Sequence, residues 1–399
     1  MLPLQNVRIV AVEQYGAGPI GTLYLASLGA EIIKIENPRD GGDVSRSVGP
    51  HFVGGVERSA ASLFFQGLNH NKKSLSLDLS RDEGRSVLHR LVAGADALAS
   101  NLRGDVPARL GITYPQLAAH NPRLVCAHLT AYGREGPRAA WPGYDFMMQA
   151  EAGYFTLTGE PDGPPTRCGL SVVDFMTGLA MAFGLTAALV DARQTGIGRD
   201  IDVSLFDVAL FNLNYVATWF LNANVAPQRA PRSAHLSLTP CQLYRTRDGH
   251  IYLMCNKEKF WESLCDEIGH PEWKEDPRFA SYAARLENRE QLTRLLDAVL
   301  AGHATADWLA RFKGKVPAAP VLDVPRALEN PFVADSDRIQ RVPLTGDSAI
   351  KVLRSPIRCE DPPPTPTAAP RLGEHTDDIL QSLGYDSAAI AELRRKGTI

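Results

Sequence analysis

Short apolar runs alternate with helical patterns along roughly the first 220 residues. Val7 to Val12 (VRIVAV) is a continuous apolar stretch, the pattern of a strand covered on both faces. The turn GAGPIG follows, then an apolar helix to about Leu28, then a second strand at Glu31 to Ile35 (EIIKI). This is a β-α-β unit. Ser74 to Leu77 reads as another strand. Ser80 to Glu83 (SRDE) has the form of a capping box, opening a helix that ends near Gly94. Asp96 to Ser100, Leu124 to Thr130 and Asp200 to Ser204 continue the strands. The alternation predicts an α/β fold with a largely parallel, helix-covered sheet of the Rossmann-like kind.

The texture changes after about Ala226. PQRAPRSAHLSLTP has the composition of a linker. Gln242 to Arg245 and His250 to Cys255 form a hairpin around Asp248-Gly249. Helical patterns follow at about Lys257 to Ile268, Arg285 to Ala301 and Thr305 to Arg311. Residues 1–225 and 321–399 are therefore expected to form a large domain from both chain ends, and residues 226–320 a small inserted α+β domain. A proline-rich tether (EDPPPTPTAAP) and two closing helices after Gly373 complete the pattern.

The segment GEPDGPPTRCGLSVVDFMTGLAMAFGLTAALV, residues 159–190, isolates one charge. A proline- and glycine-rich loop leads to the β-branched pair Val172 and Val173, then to Asp174, then to a helix apolar on nearly every side that ends near Gly196. A carboxylate in that position is a helix cap, a buried anchor or a reactive group. Phe175 to Val190 falls about one or two residues short of a membrane span and contains glycine and threonine, so a buried helix is expected.

The 399 residues are 44% hydrophobic with a formal net charge of −3 and scattered basic residues, which gives no nucleic-acid face. The first residues enter a strand pattern directly, so no signal peptide is expected. Six cysteines without C-x-x-C or zinc spacing are expected to be reduced and buried, as in a cytoplasmic protein, with no metal.

Gly16-Ala-Gly18-Pro-Ile-Gly21 fits G-x-G-x-x-G, with Glu36 at the end of the next strand. That is the pattern of a dinucleotide site and keeps an NAD-dependent dehydrogenase open. Pro19 lacks the N–H that a pyrophosphate would use, which weakens this reading.

Several segments, taken in order, carry a more specific resemblance. They are the GAGP turn, LGAEIIKIE followed by GGDVSR, LNHNKKSLSLDL, NLRGDVPARLGI, NPRLVCAHLTAYGREGP, the Asp174 segment and PRLGEHTDDIL. Together, from about residue 5 to residue 395, the chain resembles the class III coenzyme A transferases, the CaiB/BaiF family of formyl-CoA and carnitine CoA-transferases. The resemblance implies an interlocked, ring-like homodimer. It also implies a CoA thioester as substrate with no tightly bound cofactor, and Asp174, with Gly178 after it, as the catalytic aspartate. The implied CoA-binding positions are Gly16, Ala17, Arg39, Leu77, Asn101, Leu102, Arg103, Arg109 and Tyr144; Asp145 and His235 are candidate substrate contacts. Lys72 and Lys73 are further basic candidates for phosphate, and His375 is expected to bond a helix start. The expected reaction moves CoA between a donor such as succinyl-CoA and a small di- or branched carboxylic acid; an intramolecular transfer and a 2-methylacyl-CoA racemase are the alternatives.

Two departures narrow this. Formyl-CoA transferases carry a glycine run where this chain has His235 to Pro240 without glycine, which argues against oxalate and formate. The related racemases place a histidine where this chain has Tyr144, a poor base near neutral pH.

Overall fold

The computed structural model describes residues 1–54, 61–344 and 348–399. Six strands form one sheet: β1 (Arg8–Val12), β2 (Glu31–Glu36), β3 (Lys72–Ser76), β4 (Ala97–Ser100), β5 (Val125–Thr130) and β6 (Arg199–Ser204). Their order is β3-β2-β1-β4-β5-β6 and every pairing is parallel. β1, β2, β4 and β5 are buried almost throughout, which explains their unbroken apolar runs. The chain departs from β1 first toward β2 and later toward β4. The crevice outside the carboxyl ends of these two central strands is therefore the place where such sheets bind ligands.

Helices α1 (Ala17–Ser27), α2 (Leu63–Asn69), α3 (Asp82–Ala93), α4 (Val106–Leu110), α5 (Tyr114–Leu117), α6 (Asp145–Glu151), α7 (Val172–Thr195) and α8 (Leu205–Asn212) accompany the sheet. Val87, Leu88 and Leu91 of α3 join Ile33, Leu75 and Leu98 in one core, together with Ile379, Leu380 and Ile390 from the C-terminal helices Thr376–Ser382 and Ser387–Arg395. α7 packs against α1, β5 and β6. It is long and apolar enough to cross a membrane by length and composition, but half of its most apolar window is buried within the fold.

Three local expectations are corrected. α3 begins at Asp82, and Ser80 does not cap it: Asp78 Oδ1 takes both the Ser80 N–H and its hydroxyl, at 2.9 and 2.5 Å. The Val172-Val173 pair is not extended but forms the first turn of α7, so Asp174 is the third helical residue and not the N-cap. His375 stands at a helix start but its side chain does not cap it; its N–H donates to Ser74 O and its Nδ1 accepts from the Ser74 N–H, which ties the helix to β3 instead. Four cysteines are buried, but Cys168 is half-buried and Cys359 is exposed, contrary to the expectation for all six.

The chain divides into two compact units. The first takes residues 1–152, 168–218 and 337–399, the second 153–167 and 219–336. Relative to the 226–320 boundary drawn from composition, the second unit thus also takes 153–167 and runs on to 336. It contains the antiparallel strands β7 (Cys241–Arg245), β8 (His250–Met254) and β9 (Ala318–Pro320) around a core of Tyr244, Trp261, Phe279, Trp308 and Phe312. The first unit also carries a hairpin of β10 (Ile339–Pro343) and β11 (Ala349–Leu353).

Candidate active site

The turn between β1 and α1 is held by polar contacts from three directions. At its start the Asn101 side chain, just past the end of β4, accepts the Gln14 N–H at 2.8 Å and donates to Gln14 O at 2.6 Å. One amide thus closes the crevice between β1 and β4 as a strand neighbour would. Next, Tyr15 has a φ of +67°, uncommon for a residue with a side chain. Its N–H donates to Asp43 Oδ1 at 3.0 Å. Beneath it, the fully buried Lys34 Nζ lies 2.8 Å from Asp43 Oδ2. Finally, Glu13 accepts from Thr22 and from Lys72, both at 2.8 Å.

These contacts decide the glycine motif. A Cβ on Gly16 would lie 2.5 Å from Asp174 Oδ2, one on Gly18 would lie 2.8 Å from Asn101 Cγ, and one on Gly21 would lie 2.7 Å from Gly178 O. Gly178 in turn would meet Ala17 O at 2.5 Å. Each glycine therefore admits another part of the protein, and the motif serves close packing of α1 on α7. Glu36, the acid that would hold a ribose, is occupied too. It accepts from Arg46 at 2.8 and 2.6 Å, from Ser74 Oγ at 2.6 Å and from the Asp43 N–H at 3.0 Å. A dinucleotide finds neither its glycine cradle nor its acid free. Lys72 is likewise spent inside the protein, which removes it as a phosphate partner; burial first, then neighbouring Lys34, brings its pKa down to about 8. Lys73 pairs with Glu31 at the surface.

Asp174 faces this turn. It is 7% exposed, and it projects from the first turn of α7 beside Gly16. Ser171, the N-cap residue, makes no side-chain cap. Asp145, the first residue of α6, supplies the missing acceptor: its Oδ2 takes the Asp174 N–H at 2.9 Å. Asp145 Oδ1 accepts from Gln149 Nε2 at 2.6 Å. Gln149 also ties the preceding loop, donating to Leu170 O at 3.0 Å and accepting the Cys168 N–H at 3.0 Å. Burial and the like charge of Asp145 raise the pKa of Asp174 to about 7.

A cavity of about 210 Å³ opens at the carboxyl edge of β1, β2 and β3. Leu77 and Leu102 line it together with Gln14, Ile35, Asp43 and Asp78. Arg39 is half exposed nearby, its Nε 3.1 Å from Asp78 Oδ2. Arg103 is bidentate to Asp105 at 2.5 and 2.9 Å, and Arg109 reaches the same carboxylate at 3.4 Å. Tyr144 is 60% exposed at the start of α6, edge-on to Tyr15 with ring centres 6.1 Å apart. Gly16, Ala17, Asn101, Tyr144 and Asp145 thus gather at Asp174 or its facing turn, whereas Leu77 and Leu102 line the cavity and Arg39 reaches its wall through Asp78.

His235 belongs to the second unit, where its Nδ1 accepts the Ser237 N–H at 3.1 Å. Its loop is clamped: Arg289 donates to His235 O, Leu238 O and Thr239 Oγ1, and Arg285 to Thr239 O. The contributions of Gln149 and Asp43 had no local sequence signal, because they act on Cys168 and Tyr15, 19 and 28 positions away, and Lys34 enters only through Asp43.

Comparison with known proteins places the chain in a family. Residues 4–376 match the model of CoA-transferase family III. The chain is 35% identical to an acetyl-CoA:oxalate CoA-transferase of Acetobacter aceti, covering 93% of each chain. It is 31% identical to a succinate–glutarate CoA-transferase of Agrobacterium fabrum, covering 96% of each. Among solved structures, a CaiB/BaiF family protein from Brucella suis superimposes with a TM-score of 0.82 at 33% identity, over 96% of this chain and 99% of that one. Rv3272 from Mycobacterium tuberculosis gives 0.83 at 29% identity, over 95% of this chain and 99% of that one. The chain belongs to CoA-transferase family III and is a CoA-transferase.

Proposed function

We propose that this enzyme moves CoA from succinyl-CoA to a short dicarboxylic acid, with Asp174 as the acyl carrier. The observation that carries the reading is a buried carboxylate of raised proton affinity, in the first turn of a helix, facing the turn at the carboxyl edge of β1. The two thioesters are close in free energy, so the reaction needs a reversible carrier and no energy source. An Asp174 oxygen attacks the thioester carbonyl; the new C–O bond forms as the C–S bond breaks and thiolate leaves, giving a mixed anhydride. Thiolate then attacks the aspartyl carbonyl and expels the donor acid as carboxylate, leaving an aspartyl-CoA thioester. The acceptor carboxylate reverses both steps. The first-turn N–H groups of α1, beside Gly16, suit a developing oxyanion, and burial protects the anhydride from water.

Leu77, Leu102 and Arg39 hold the nucleotide end of CoA in this reading. The acceptor class follows the relatives, among them a succinyl-CoA:mesaconate CoA-transferase of Haloarcula hispanica at 32% identity and the glutarate enzyme above. Oxalate is the discriminating acid: a relative is named for it, whereas the 235–240 loop here lacks glycine and is clamped by Arg289. The functional form is a homodimer. Support comes from the apolar stripe Phe175, Leu179, Phe183 and Val190 exposed on α7, with Phe211 beside it on α8.

Incubation with succinyl-CoA, proteolysis and mass analysis test the mechanism: CoA is expected on the peptide containing Asp174, and hydroxylamine should remove it. No label there, with full transfer by Asp174→Ala, would overturn the reading. A panel of acids with succinyl-CoA tests the acceptor, and sedimentation tests the dimer.

A further inference from the structure

The helix that carries Asp174 does not cap itself. Its N-terminal cap comes from a carboxylate 29 residues earlier in the chain, and that carboxylate is fixed by a glutamine on its own helix that also ties down the loop entering α7. A neutral acceptor would satisfy the Asp174 N–H as well. A carboxylate beside a carboxylate costs free energy, and both oxygens of Asp145 accept hydrogen bonds, as an ionised group does. Among the described residues no other charged group acts on Asp174: the α1 side presents Gly16 and Ala17, and neither β5, β6 nor α8 brings a countercharge to it.

We propose that Asp145 is a positioning residue that caps the helix of Asp174 and, by its charge, favours the acylated forms of Asp174 over the free carboxylate. The inference rests on Asp174 being the acyl carrier. When Asp174 Oδ bonds to the acyl carbon and the C–S electron pair leaves with the thiolate, the side chain becomes neutral, and its repulsion with Asp145 ends. The same holds in the aspartyl-CoA thioester. The site thus raises the free energy of the resting carboxylate toward that of both covalent intermediates. Gln149 keeps Asp145 aimed at the helix start, so that the repulsion acts at one fixed geometry and is not relaxed by rotation.

Asp145→Asn removes the charge and keeps one oxygen for the Asp174 N–H, but turns its amide nitrogen to Gln149 Nε2, so it is read beside Gln149→Leu, which loses that bond and keeps the charge. The Asp174 titration midpoint, read without substrate by carbon-13 carboxyl NMR or by pH-dependent carbodiimide labelling of its peptide, is expected to fall by about one unit or more. At a fixed ratio of succinyl-CoA to succinate, the fraction of enzyme carrying CoA should fall about tenfold per unit of that shift. Asp145→Ala, which loses cap and charge together, should also speed hydrogen exchange at residues 171–175, which Asp145→Asn should not. If Asp145→Asn folds poorly, Asp145→Ser keeps an oxygen acceptor and replaces it. An unchanged midpoint in the charge-free variant overturns the proposal. Failure of the carrier reading would look different: the wild-type peptide would take no CoA, whatever the titration shows.

Discussion

Asp43 and Asp174 are both buried against one turn, at Tyr15 and at Gly16, and their surroundings drive them in opposite directions. Asp43 is 3% exposed and Asp174 is 7% exposed, so desolvation penalises both charges. Asp43 answers it with the Lys34 ammonium, the Tyr15 N–H, and the Ser45 N–H and hydroxyl, and its pKa is held below the ordinary value. Among the described residues Asp174 meets no cation and faces a second carboxylate, and its pKa rises to about 7. The lesson is that burial alone does not mark a reactive group; what marks it is burial left uncompensated. The compensated carboxylate holds the turn still, and the uncompensated one is available to react across it.

The largest effects should separate the two residues cleanly. Asp174→Ala is expected to reduce transfer by about 10³-fold or more, since it deletes the proposed acyl carrier, with the unfolding midpoint in urea unchanged or raised. Lys34→Met attacks the other side. It strands Asp43 without its cation, and breaking such a pair costs about 3–5 kcal/mol, visible as an early urea transition. Lys34→Met combined with Asp43→Leu should recover part of that loss, because a neutral pair has no charge to solvate. If Lys34→Met alone proves neutral in stability, the contrast drawn between the two carboxylates is wrong.

Much of this arrangement could be read from the chain in advance, and the part that could not has a common physical cause. The buried strands were legible because both faces of β1, β2, β4 and β5 are covered, which forces continuous apolar runs. Asp174 stood out as the one charge facing a helix apolar on nearly every side, and the resemblance across the whole chain picked the reactive role over a cap. The start of α7 was misplaced because Val172 and Val173 favour extended backbone locally, while the cap that lets the helix begin there comes from Asp145, 29 positions upstream. The G-x-G-x-x-G motif misled for the same reason. Its glycines are required by Asn101, Asp174 and Gly178, contacts that no window of sequence around residue 18 contains. Ser80 lost its cap role to Asp78, a competing local acceptor.

A smaller effect concerns pH. Asp174, with an ordinary value of 3.8 raised to about 7, binds its proton more tightly when folded. The stability it contributes is full below about pH 4 and is lost as pH rises through about 7. Asp43, lowered from 3.8, behaves oppositely: its contribution is present above that value and disappears as pH falls through the depressed one. Activity needs the Asp174 carboxylate, so the rate of enzyme acylation should rise with pH to a plateau just above 7 while this increment of stability falls. Asp174→Asn should remove the decline and leave a protein about 1–3 kcal/mol more stable than wild type at pH 8, in chemical denaturation across pH. A wild-type stability that is flat from pH 5 to pH 8 would show that Asp174 is not destabilised in the fold.

The smallest effect probes the space between the two carboxylates. Gly16 and Gly18 lie two residues apart, and a methyl group on each meets a different neighbour. On Gly18 it would press on Asn101, whose amide is fixed by two bonds to Gln14. On Gly16 it would press on Asp174 Oδ2, the end of a short side chain that no hydrogen bond from the described residues holds in place. Gly18→Ala should therefore be read mainly as lost stability, about 1–3 kcal/mol from overpacking. Gly16→Ala should be read mainly as lost rate, because the carboxylate can turn away at little cost but turns away from the acyl group in doing so. A loss of about tenfold in kcat, with a change in stability under about 1 kcal/mol, is expected for it. Equal losses of stability in both variants would mean that Asp174 is held as rigidly as Asn101, and a nucleophile held that rigidly would have to be fixed by a contact other than those that position its helix.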